Sequence, residues 1–151
     1  MTNEGSANYV EEIVSEPWDE DETGLSLRED SPEDQKYDLE ERTARFGEAV
    51  IDFCKLIPRS PVTNRLIDQL VGCGTSIGAN YCEADDAVSK REFIVKINTC
   101  RKEARESKFF IRMIARASET IKPQARLLWL EARELHLIFS AIYRRSSTPD
   151  A

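Results

Sequence analysis

From Tyr37 onward the chain repeats one pattern four times: apolar residues return every three or four positions, and no segment alternates apolar with polar as a strand would. Each repeat puts an apolar stripe on one side of a helix, and such a stripe is stable only against another. Four of them joined by short links predict an all-α fold, an antiparallel up-and-down four-helix bundle.

Leu39, Thr43, Phe46, Val50, Phe53 and Ile57 stripe the first helix, which should open near Asp38 with Glu41 completing a capping box and stop before Pro58 and Pro61. Ser60 followed by Pro61 starts the second, with Leu66, Leu70, Cys73, Ile77 and Ala84 on one stripe. Ile67, Val71, Gly74 and Gly78 form another beside it. Glycine inside a helix costs about 1 kcal/mol against alanine, so Gly74 and Gly78, one turn apart, predict a close-packed neighbouring helix. Ser89 and Glu92 should cap the third helix, whose inner face is Phe93, Ile97, Cys100, Ala104, Ile111 and Ile114 and which should end before Pro123. Leu128, Ala132, Leu135, Phe139 and Ile142 point inward from the fourth, with fraying expected from Ser146 to Pro149.

Charge divides the chain unequally. The net charge is −7, yet residues 1–36 carry 12 acidic and 2 basic side chains while the remainder is net +3. Few apolar residues and a run such as Asp19-Glu20-Asp21-Glu22 predict a disordered acidic tail over 1–36, ahead of a bundle domain over 37–146 and a disordered C-terminus over 147–151. The tail has one apolar cluster of partly helical spacing, Tyr9, Val10, Ile13, Val14 and Trp18. As a tethered polyanion it is expected to compete with nucleic acid for the cations of the body. No apolar run approaches the roughly 20 residues of a membrane span, and the first residues lack the pattern of a secretory signal. A cytoplasmic protein with no membrane association is expected.

Several constellations argue against chemistry. Cys54, Cys73, Cys82 and Cys100 show no C-x-x-C spacing and are expected to be buried, unpaired thiols. Cys73 and Cys82 fall on opposite sides of one helix, so they cannot share a metal. Asn80, Glu83, Glu103 and Glu106 could be thought a carboxylate site, but di-metal bundles use Glu-x-x-His, and His136 does not follow any glutamate by three. Helix-capping, inter-helix or inter-subunit hydrogen bonds with the arginines are the expected role of these groups. His136, between Trp129 and Tyr143 at heptad spacing, has no nucleophile beside it, and Gly72, Gly74 and Gly78 lack the strand and Gly-Lys-Ser/Thr of a phosphate loop. We therefore expect no enzyme, no metal and no cofactor.

Two surface features point to binding instead. Arg101, Arg105, Lys108, Arg112 and Arg116 recur at steps of four, three, four and four, which keeps all five on one flank of the third helix. Like charges so placed destabilise a helix by roughly 0.2–0.5 kcal/mol per pair, and a phosphate backbone would relieve them; the competing reading is a solvated face paired with glutamates of neighbouring helices or subunits. Arg144, Arg145, Lys90 and Arg91 could extend the surface. Off the inner stripes, Val95, Phe110 and Met113 on the third helix and Leu130, Leu137 and Ala141 on the fourth predict an oligomer interface.

The stretch Thr75-Ser76-Ile77-Gly78-Ala79-Asn80-Tyr81-Cys82-Glu83-Ala84 resembles the signature of the 23S rRNA intervening-sequence protein family, the four-helix bundle proteins. Tyr37-Asp38-Leu39-Glu40-Glu41-Arg42-Thr43, Ser89-Lys90-x-x-Phe93 and Lys102-Glu103-Ala104-x-Glu106 resemble family positions in the same order, so the likeness spans Tyr37 to Arg145. Cys73 and Phe109-Phe110 depart from the pattern. The resemblance implies a four-helix protomer in a ring-like homopentamer and no reaction. It also implies a likeness to the accessory protein of diversity-generating retroelements, whose partners are a reverse transcriptase and RNA or DNA. A non-enzymatic module that binds nucleic acid or a nucleic-acid-processing partner is the expected function; a purely structural protein-interaction module is the alternative.

Overall fold

The structure, a computed structural model, describes the backbone of residues 32–149 and the side chains of residues 39–149. The expectations for residues 1–31 fall outside it. Among the described residues there are four long helices and no strand: α1 (Pro32–Lys55), α2 (Pro61–Asp85), α3 (Lys90–Ala117) and α4 (Lys122–Ser147), with one 3-10 turn at Glu119–Ile121 between the last two.

The helix boundaries follow local chemistry, with two corrections. Helix α1 starts at Pro32, six residues before Asp38, so residues 32–36 belong to it and not to the tail; proline is suited to a first turn because its missing N–H has no acceptor there. Helix α2 opens as a full capping box: Thr63 N–H donates to Ser60 Oγ at 3.1 Å, and Ser60 N–H donates to Thr63 Oγ1 at 2.8 Å. At α3 the box is shifted. Ser89 Oγ accepts from Glu92 N–H, but the Glu92 carboxylate accepts from Val88 N–H, one residue before the cap. Helix α3 then ends at Ala117, well before Pro123, and Pro123 lies inside the first turn of α4.

Each helix packs on the next in sequence, α1 and α4 adjoin less extensively, and the backbones of the diagonal pairs stay apart. The core is the set of faces the periodicity selects. Phe46, Val50, Leu70, Ile77, Ile97, Ile111, Ile114, Leu135 and Phe139 are all at most 2% exposed. Each contributes about 1.5–3 kcal/mol by leaving water. Phe93 and Ile142, expected inside, are half-buried, whereas Tyr81 and Trp129, not assigned to the core, are buried. Tyr81 packs against Phe139 with ring centroids 5.9 Å apart, so the second helix reaches across to the fourth at this level.

Polar groups in the core are satisfied locally. Thr43 Oγ1 donates to the Leu39 carbonyl at 2.7 Å, and the Ser107 hydroxyl donates to the Glu103 carbonyl at 2.8 Å while lying 3.4 Å from Cys73 Sγ. Among the described residues no buried side-chain nitrogen or oxygen lacks a partner. Gly74 and Gly78 lie where α1 crosses α2: a Cβ at Gly78 would stand 3.2 Å from Thr43 Oγ1. The narrow α1–α4 seam leaves a groove of about 700 Å³ lined by Phe46, Phe53, Leu56, Leu127 and Leu128, spanned at one point by an Arg42–Glu131 ion pair. No described helix is long and apolar enough to cross a membrane.

Candidate nucleic-acid interface

Helix α3 buries Ile97, Cys100, Ala104, Ser107, Ile111 and Ile114, so the flank one step round from that face is fixed beside α4. The basic stripe occupies this flank. Arg101 lies over the Tyr143 ring with its guanidinium carbon 5.0 Å from the centroid, and Lys108 lies over Trp129 at 5.7 Å. Arg101 also donates from Nε and Nη2 to Asn98 Oδ1, at 3.0 and 2.8 Å. Arg101 is thus held by an aromatic face and an amide, and Lys108 lies against an aromatic face.

Arg105, Arg112 and Arg116 are exposed, and among the described residues none of them forms an ion pair. The reading in which the stripe is neutralised by glutamates of adjacent helices is therefore not what these three arginines do within the chain. Helix α4 adds cations on the adjoining row. Steps of seven and eleven place Arg126, Arg133 and Arg144 outward of Trp129 and Tyr143, the rings that face α3.

Carboxylates are segregated from this surface. On α3, Glu92, Glu103 and Glu106 fall on the flank toward α2; on α4, Glu131 and Glu134 fall toward α1. Glu131 is engaged there by Arg42, whose Nε and Nη2 donate to its two oxygens at 2.7 and 3.1 Å. Glu83 pairs with Lys96 across α2 and α3, and its carboxylate holds the lysine ammonium above its usual pKa. Asn80 Nδ2 donates to the Ser76 carbonyl at 2.8 Å. Burial, and then the neighbouring Glu106, pushes the Glu103 carboxyl above its usual range. The arginine partners expected for these four groups are thus absent from their described contacts, with a lysine and a backbone carbonyl in two of the places.

A surface of cations on two helices with its carboxylates turned away is suited to polyanion binding, because every phosphate laid on it releases counterions and meets no repelling group. Among the described residues no group of three or more His, Cys, Asp or Glu side chains could hold a metal ion. Cys54, Cys73 and Cys100 are buried, and burial pushes their thiols up to about 11, 11 and 12. Cys82 is exposed, contrary to expectation, because it lies on the outer side of α2.

Of the residues expected to mediate assembly, Val95 is 56% exposed, and Phe110, Met113, Leu130, Leu137 and Ala141 are half-buried. Phe109, which the sequence reading left out, is 55% exposed, and its ring meets Phe110 edge-on with centroids 5.3 Å apart. Its place beside Arg105 and Arg112 at helical spacing is the signal that could have singled it out.

The fold and surface define an all-helical, four-helix protein with a basic flank. Similarity to solved structures lies within the same class: a protein of unknown function from the S23 ribosomal protein family of Bacteroides thetaiotaomicron shares the fold with a TM-score of 0.61 and 24% identity over 70% of this chain and 98% of its own. No family model matches the chain. No curated protein matches it either.

Proposed function

We propose that the chain is a non-enzymatic module that binds nucleic acid through the α3–α4 basic flank, with Arg101, Arg105, Lys108, Arg112 and Arg116 as its centre. The observation that carries this reading is the segregation of charge: two helices contribute cations to one surface while every carboxylate on those helices turns to the other side. The S23 ribosomal protein family named for the similar structure agrees with a setting near RNA.

The protomer belongs, in this reading, to the 23S rRNA intervening-sequence type and is an antiparallel bundle. Contacts support that direction: going up α3 from Arg101 to Lys108, the partner on α4 falls from Tyr143 to Trp129. The same reversal occurs between α2 and α3, where Cys73 meets Ser107 and Ile77 meets Cys100. The incompletely covered apolar residues of α3 and α4, Leu137 among them, supply contacts for a closed homopentamer in the cytoplasm. A reverse transcriptase is a candidate protein partner of such an assembly.

The test is a salt titration of binding to a short structured RNA and to a DNA duplex. The logarithm of affinity should fall with the logarithm of salt at about 0.7–0.9 per engaged phosphate, and the double variant Arg105→Glu/Arg112→Glu should lose binding. Unchanged binding by that variant would return the stripe to a solvated face and make a structural protein-interaction module the better reading. Light scattering tests assembly separately: the mass of a single chain would exclude the ring, and Leu137→Glu should lower an oligomer's mass.

A further inference from the structure

The aromatic rings of the basic flank differ in one respect that bears on what it can bind. Trp129 is 5% exposed beneath Lys108, and Tyr143 lies beneath Arg101. Neither can offer a clear face to a nucleobase. Phe109 can. It is the one exposed aromatic ring among the described side chains, at 55%. Arg105 precedes it by one helical turn and Arg112 follows it by one, so it stands at the edge of the stripe between two cations that form no ion pair among the described residues. Phe110 meets the ring edge-on, and the residue nonetheless stays more than half exposed.

We infer that Phe109 is a stacking platform for an unpaired base, so that the polynucleotide held by the α3–α4 flank is single-stranded there. The inference rests on the nucleic-acid reading of that flank and specifies its ligand. A duplex keeps its bases stacked on one another and presents only phosphate to a helix surface of this kind. A single strand can lay its phosphates on Arg105 and Arg112 and turn the intervening base onto the ring. An exposed phenylalanine would otherwise serve as a contact between copies. A ring contact joins two different faces, however, and one that covered Phe109 would also bury the adjacent Arg105 and Arg112, whose charges no carboxylate of this flank offsets.

The experiment compares a short oligothymidine with a duplex of equal length, using the full chain and fluorescence anisotropy. Phe109→Ala should weaken the single strand about tenfold, Phe109→Trp should retain it, and neither should change duplex binding or particle mass. A fluorescent adenine analogue placed within the strand should be quenched on binding the natural protein and not on binding Phe109→Ala. Unchanged single-strand affinity in Phe109→Ala overturns the inference, as does loss of both ligands together with a fall in mass, which would make Phe109 an assembly contact. Failure of the parent reading looks different: Arg105→Glu/Arg112→Glu then binds both ligands as well as the natural protein does, or the natural protein binds neither.

Discussion

Gly74 on α2 faces Val50 on α1 so closely that a Cβ at position 74 would lie 2.8 Å from Val50 Cγ2. Val50 is 0% exposed and has nowhere to move. Gly74→Ala should therefore destabilise the protein by about 1–3 kcal/mol from overpacking, less the gain in helix propensity. Gly72, on the same helix but with nothing within 4 Å of a built Cβ, should respond with the opposite sign: Gly72→Ala should stabilise by about 0.5–1 kcal/mol. Urea unfolding of the two variants checks the contrast, and adding Val50→Ala to Gly74→Ala should relieve the clash.

Across the narrow α1–α4 seam, the two-point contact of Arg42 with Glu131 is about one-third exposed on each side. Its geometry is favourable and its screening partial, so a double-mutant cycle with Arg42→Met and Glu131→Gln should give a coupling of about 1 kcal/mol. A coupling near zero would mean that the ion pair adds nothing to the packing of α1 against α4.

Lys108 shields Trp129, and its removal should be visible spectroscopically. In a Trp18→Phe background, where Trp129 is the remaining tryptophan, Lys108→Ala should shift emission to longer wavelength and cost about 0.5–1 kcal/mol. Unshifted emission would show that the ring is covered by other neighbours.

Thiol chemistry should distinguish the four cysteines. A thiol reagent should modify Cys82 rapidly in the native protein and all four only after denaturation. The buried thiols also set an alkaline limit. Unfolded, they ionise near 9.0; folded, Cys54 and Cys73 keep their protons to about 11 and Cys100 to about 12. In that window the unfolded state binds fewer protons, so stability falls as pH rises from about 9. Melting in reducing buffer should show Tm decreasing over this range, and Cys100→Ala should flatten the decrease.

Local periodicity carried most of the fold. Leu39, Phe46, Val50, Leu70, Ile77, Ile97, Ile111, Leu135 and Phe139 could be assigned inward because residues three and four apart share a helix face wherever that helix is placed. The basic stripe was legible for the same reason. Ends were less so: Pro32 and Pro123 both begin helices, and proline is compatible with a first turn as well as with a break.

What periodicity leaves open is which neighbour covers each flank, since that depends on residues distant in sequence. Packing of α3 on α4 set Lys108 over Trp129 and Arg101 over Tyr143, buried an indole the sequence had marked only as part of an aromatic flank, and left Phe109 as the exposed ring. Cys82 lies outside while its three counterparts are enclosed, because it is opposite the buried Cys73 on α2. The sequence by itself determined four amphipathic helices and a row of cations, because both are properties of a single helix; tertiary structure decided which of those side chains remain free to meet a partner, because exposure is a property of helices packed together.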